Sequence, residues 1–116
     1  MKVLTIRQPF AAAIMEGLKT VEYRSWATSY RGMLAIHAGK RRPDRDWQDD
    51  WPELDADTLV YGAILGAVEL LDCVPGDAGF EWHLANPRPL DRPFLCGGQL
   101  GLWVPPAAVV KLLCRG

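Results

Sequence analysis

A chain of 116 residues, 49% apolar and 23% charged, has the composition of one ordinary globular domain spanning 1–116 and is too short for two. No apolar run approaches the roughly 20 residues of a membrane helix, and Met1-Lys2-Val3-Leu4-Thr5-Ile6-Arg7 lacks the apolar stretch of a secretory signal, so no membrane is implied and a cytoplasmic protein is expected. The net charge of −1 conceals a division: residues 1–45 hold nine Lys or Arg against three acids, and residues 46–116 hold four against eleven, an asymmetry suited to an anionic partner if folding keeps the halves apart.

Lys2 to Ile6 is rich in Val, Leu, Thr and Ile and predicts a first strand. Pro9 opens a helix of about two and a half turns, with Phe10, Ala13, Ile14 and Leu18 on one face and Gly17 where a C-terminal glycine belongs. Lys19 to Arg24 alternates as a second strand, with Thr20, Glu22 and Arg24 on one face and Lys19, Val21 and Tyr23 on the other. Val21 and Tyr23 make theirs the expected inner face, with Lys19 at the strand's entry. Ser25 to Gly32 is a loop rich in small and aromatic residues, and Gly32 to Ala38 is a buried strand ended by Gly39-Lys40-Arg41-Arg42.

Residues 46–57 form a polar excursion with room for a short helix. Tyr61 to Val74 reads as a long strand, a helix being its rival, with Gly62 and Gly66 permitting a bend or close packing. Pro75-Gly76-Asp77 ends it in a turn. Glu81 to Leu84 predicts a short strand followed by a stiff connection, Ala85 to Leu90, bounded by prolines. Gly98 to Val104 reads as another strand, and Ala107 to Cys114 is an apolar tail, strand or helix. Five or six short strands with one helix between the first two predict an α+β fold built as a small mixed barrel rather than a doubly wound sheet.

Cys73, Cys96 and Cys114 are odd in number and lack C-x-x-C spacing, which argues for buried thiols and against a disulfide framework or a zinc site; no metal or other cofactor is expected.

Arg7-Gln8-Pro9-Phe10, the run Gly17-x-Lys19-Thr20-x-Glu22-x-Arg24, Arg31-Gly32 before an apolar strand, Gly66-x-Val68-Glu69 and Gly98-Gln99-Leu100-Gly101-Leu102-Trp103 together resemble an ASCH domain, a branch of the PUA-like superfamily. The match runs through nearly the whole chain in the family's order. It implies a PUA-like β-barrel with a cleft beside the first helix, lined by the lysine, glutamate and arginine of the second motif, here Lys19, Glu22 and Arg24. It also implies an association with RNA or a modified nucleoside. Some small relatives act as ribonucleases or as amidohydrolases on acetylated cytidine, and those amidohydrolases carry a threonine where this chain has Glu22.

Lys19 suits either a fixed cation for a phosphate or carbonyl oxygen, or a base if an apolar wall lowers its proton affinity. Glu22 and Arg24 lie two apart on a strand, so Arg24 can hold the carboxylate, which in turn can accept from a base's amino edge. Arg7, Gln8 and Thr20 match the family motifs, Trp26, Tyr30 and Trp82 offer stacking surfaces, Arg31 offers a phosphate contact, and His83 is the better placed of two histidines. The expected function is RNA or nucleotide binding in this cleft. A hydrolase using Lys19 as base with Glu22 as proton carrier is the first alternative, and a module whose acidic 46–57 segment docks a protein partner is the second.

Overall fold

In a computed structural model, residues 1–114 are described, Arg45 by its backbone alone. The elements run β1 (Lys2–Ile6), α1 (Phe10–Met15), β2 (Val21–Arg24), β3 (Gly32–Ala38), 3-10 turns at Arg45–Asp49 and Ala56–Thr58, β4 (Ala63–Gly76), β5 (Gly79–Leu95), β6 (Leu102–Trp103) and α2 (Ala107–Leu113). Six strands form one mixed sheet in the order β2-β5-β4-β3-β1-β6. β1 and β3 are parallel, joined by a crossover that carries α1 and β2, and the other neighbours are antiparallel. Register shifts within the β3–β4 and β4–β5 pairs bend the long strands and curl the sheet. This is the α+β, PUA-like architecture that the sequence predicts.

The alternation of side chains along β1 and β3 explains the two cores. Leu4, Ile6, Leu34 and Ile36 join Ala11, Ile14 and Met15 of α1 and Trp82 of β5 on one face. Val3 and Ala35 point the other way and pack with Ile64, Ala67, Trp103 and, from α2, Val109 and Leu113. Strands buried on both faces read as nearly unbroken apolar runs, which is why Gly32–Ala38 is so legible.

α1 is shorter than its periodicity implies because a Schellman motif stops it. Gly17 has φ of 75°, its amide donates to the Ile14 carbonyl at 3.1 Å, and Leu18 donates to the Ala13 carbonyl at 2.9 Å. Leu18 is thereby turned out to solvent. Gly66 is where β4, β5 and α1 come closest: a Cβ there would lie 2.4 Å from the Arg88 carbonyl oxygen, 2.7 Å from Pro89 Cα and 2.7 Å from Met15 Cε.

Several expectations are corrected. The 61–74 segment is strand rather than helix, but it begins at Ala63, two residues later than expected, and continues through Pro75 to Gly76, leaving Asp77 and Ala78 as the turn. β5 absorbs both the short 81–84 strand and the supposed proline connection. It does so because β2 pairs only with residues 80–83, so Pro87, Pro89 and Pro93 lie where the outer edge has no partner strand and a missing N–H costs no ladder bond. The 98–104 strand contracts to two residues, and the tail is helix. The inner face of β2 is the reverse of that expected: Glu22 is 8% exposed, whereas Tyr23 is 65% exposed. Glu22 lies opposite Trp82, the core tryptophan, and two cations compensate its charge there. Cys114 is exposed, and Cys73 and Cys96 are half-buried rather than buried; burial pushes the Cys96 thiol up despite a lowering hydrogen bond from the Ile64 backbone.

Candidate functional site

Lys19, Glu22 and Arg24 meet. Lys19 precedes β2 and reaches back so that its Nζ donates to the Val21 carbonyl on the sheet's outermost strand and lies 3.5 Å from Glu22 Oε1. Arg24 grips the other oxygen, Glu22 Oε2, with Nε at 3.0 Å and its terminal nitrogen at 2.8 Å. The same terminal nitrogen donates to the Thr5 carbonyl of β1 at 2.9 Å. β1 lies four strands away in the sheet order, so this guanidinium spans the opening of the curled sheet. The cluster thus holds the barrel's mouth and leaves one net positive charge.

Around it the cations are arranged over aromatic rings. Lys19 Nζ lies 4.9 Å from the Tyr23 ring centroid and 5.8 Å from that of Phe10, and the Arg7 guanidinium sits 5.7 Å from the Phe10 centroid. Phe10 therefore links the cluster to a neighbouring hollow of about 310 Å³, lined on one side by Arg7 to Phe10 and on the other by Pro43, Asp44, Asp46, Trp47 and Asp50. Trp51 packs edge-on against Phe10 at 5.6 Å and fixes the far wall to α1.

The other sequence candidates fare unequally. Gln8 is 1% exposed and fully engaged: its Oε1 accepts from the Ala12 amide at 2.9 Å, supporting the first turn of α1, and its Nε2 donates to the Val60 carbonyl at 2.9 Å. It borders the hollow but works as a clamp. Trp82, wholly buried, donates from Nε1 to the Trp26 carbonyl at 3.3 Å and packs edge-on against the Trp26 ring at 4.8 Å, so it offers no face to a base. Trp26 and Tyr30 are half-buried against the same core, the Tyr30 hydroxyl donating to the Met33 carbonyl. Thr20 is exposed, with its carbonyl taken by the Leu84 amide. Arg31 pairs with Asp72 of β4 at 3.2 Å. His83 pairs with Glu81 at 3.3 Å and, next to Trp82 on β5, points away from the face that carries Glu22. Arg7, Lys19, Glu22 and Arg24 are thus the candidates that gather.

Phe10 and Trp47 were missed. Their signal was Trp47 and Trp51, one helical turn apart in an acidic stretch, where large apolar side chains are kept only if they pack on something. Among the described residues no group of three or more His, Cys, Asp or Glu is arranged to hold a metal, and no helix is long and apolar enough to cross a membrane.

Comparison with known proteins bears on the same residues. Activating signal cointegrator 1 of Mus musculus is 27% identical over 132 aligned positions and that of Homo sapiens 26%, in each case covering 86% of this chain. The chain spans about a fifth (21%) of the length of these relatives. The ASCH domain model matches residues 4–94, from β1 through β5, and so takes in the cluster, the Phe10 platform and the Gly66 crossing. With most of the sheet and every gathered residue inside that match, the chain belongs to the ASCH domain family.

Proposed function

We propose that the protein is an RNA-binding module that takes a nucleotide of a single strand in the hollow beside Phe10. Arg7 and Lys19 meet phosphate oxygens, Phe10 and Trp47 supply the stacking surfaces, and Arg24 and Glu22 hold Lys19 and the barrel's mouth in position. Membership of the ASCH family supports the choice of RNA. The observation that carries the reading is the pair of cations, Arg7 and Lys19, suspended over one aromatic ring at the rim of a concave site.

Binding is favoured over hydrolysis by the chemistry of Lys19. Its Nζ is held among a carboxylate, a carbonyl and two aromatic rings, an arrangement that fixes the group in place as a contact for a phosphate oxygen. Glu22, buried with an oxygen engaged by each cation, suits positioning better than reading a base edge.

The test is fluorescence anisotropy with a labelled single-stranded RNA across a salt series. Each phosphate neutralised on a single strand contributes a slope of about −0.7 in log K against log salt. Arg7→Ala, at an exposed position outside the core, is expected to weaken binding about fivefold and to lower the slope by about that unit. Absence of binding at low salt, or an Arg7→Ala variant with unchanged affinity and slope, refutes the reading.

A further inference from the structure

The two walls of the hollow carry opposite charge. Arg7 stands on one, adjoining the net positive cluster, and Asp44, Asp46 and Asp50 stand on the other, all three exposed. Among the described residues none of these four makes an ion pair, so the charges face one another across open space instead of neutralising each other. An acidic wall repels phosphate, with about 1 kcal/mol per pair at 4 Å even in bulk water, and confines the RNA backbone to the Arg7 side. The complement of the aspartate wall is a hydrogen-bond donor. A ribonucleotide donates from its 2′-hydroxyl and from its base edge, and the base edge is what differs: cytosine presents N4–H₂ and adenine N6–H₂, whereas uracil and hypoxanthine present a carbonyl oxygen at the same place, beside a ring N–H. Glu22 is poorly suited to this role, being 8% exposed with both oxygens held. A volume of about 310 Å³ suits one nucleotide, not a helix.

We propose that the hollow selects bases bearing an exocyclic amine, with the Asp44–Asp50 wall accepting from the amine while Arg7 holds the phosphate and Phe10 and Trp47 flank the ring. Cytosine is thereby preferred to uracil, and adenine to hypoxanthine. The inference rests on the RNA-binding reading above and adds the specificity that the binding site confers. It also gives the acidic excursion a part in recognition.

The experiment uses labelled pentanucleotides that differ at one central position, UUCUU against UUUUU and UUAUU against UUIUU, each pair matched in ring size. The full chain is expected to bind the amine-bearing member about tenfold more tightly in both pairs. Triple replacement of Asp44, Asp46 and Asp50 by Ala is expected to shrink both ratios below twofold, while Asp49→Ala, on the same segment but outside the hollow, leaves them intact. RNA binding with no discrimination in the unaltered protein overturns the inference and leaves the RNA-binding reading standing. A triple variant that binds all four oligonucleotides more tightly by one common factor, its ratios unchanged, overturns it as well, because the aspartates then only repel. No binding to any of the four removes both.

Discussion

Replacing Glu22 by Ala tests whether the ion cluster holds the mouth of the barrel. The carboxylate is 10% exposed at the side chain, and its partners Lys19 and Arg24 are 12% and 25% exposed. Removing one member of a buried pair costs about 3–5 kcal/mol, most of it from the charge left behind. Here each cation keeps one carbonyl, Val21 for Lys19 and Thr5 for Arg24, and both retain some contact with water. The expected loss is therefore about 2 kcal/mol, below that range, or a fall in Tm of about 8 °C at about 4 °C per kcal/mol for a domain of this size. Glu22→Gln keeps the shape and an acceptor and should lose about half as much. Urea unfolding followed by tryptophan fluorescence is the assay, since Trp82 lies directly opposite Glu22 on β5. Adding Arg24→Met to the Ala variant should restore part of the loss, with a coupling above about 1 kcal/mol in the double-mutant cycle. A Glu22→Ala variant within about 0.5 kcal/mol of the parent, or strictly additive losses, refutes the reasoning.

Gly66→Ala should destabilise by about 3 kcal/mol, because two of the three atoms its Cβ meets are backbone of β5 and cannot rotate away; Gly97→Ala, whose Cβ meets nothing within 4 Å, is the control expected within about 0.5 kcal/mol in the same unfolding assay. Thiol labelling should modify exposed Cys114 quickly and Cys96 slowly. Because folding raises the Cys96 pKa, its contribution to stability is complete below the unfolded thiol's value of about 8.5 and is lost as pH rises through the folded value. Urea midpoints from pH 8 to 10 should therefore fall less steeply in Cys96→Ala.

What could be read from the sequence was whatever rests on local chemistry. Gly17 marked the helix end because only a left-handed residue completes that cap, and the glycine at 66 marked a close approach because no side chain fits there. The pairing of Glu22 with Arg24 follows from their spacing of two along a strand, whereas alternation puts Lys19 on the other face and only the family resemblance implies its place beside them. The facing of β2 did not: Val21 and Tyr23 look like the inner pair until it is known that Glu22 lands on a cationic mouth closed by a strand four places away. The prolines of β5 hid a strand because nothing local says which of its edges is paired. The hollow at Phe10 joins residues some forty positions apart, a distance that periodicity does not reach.

Those prolines and Lys19 have a shared consequence. A sheet left open along its borders is a template on which another chain's strand can grow, the first step toward a fibril. Along the outer run of β5 three residues have no N–H to give, and on β2 an ammonium already occupies the Val21 carbonyl. This border of the sheet, though no strand covers it among the described residues, is therefore a poor template for a second chain.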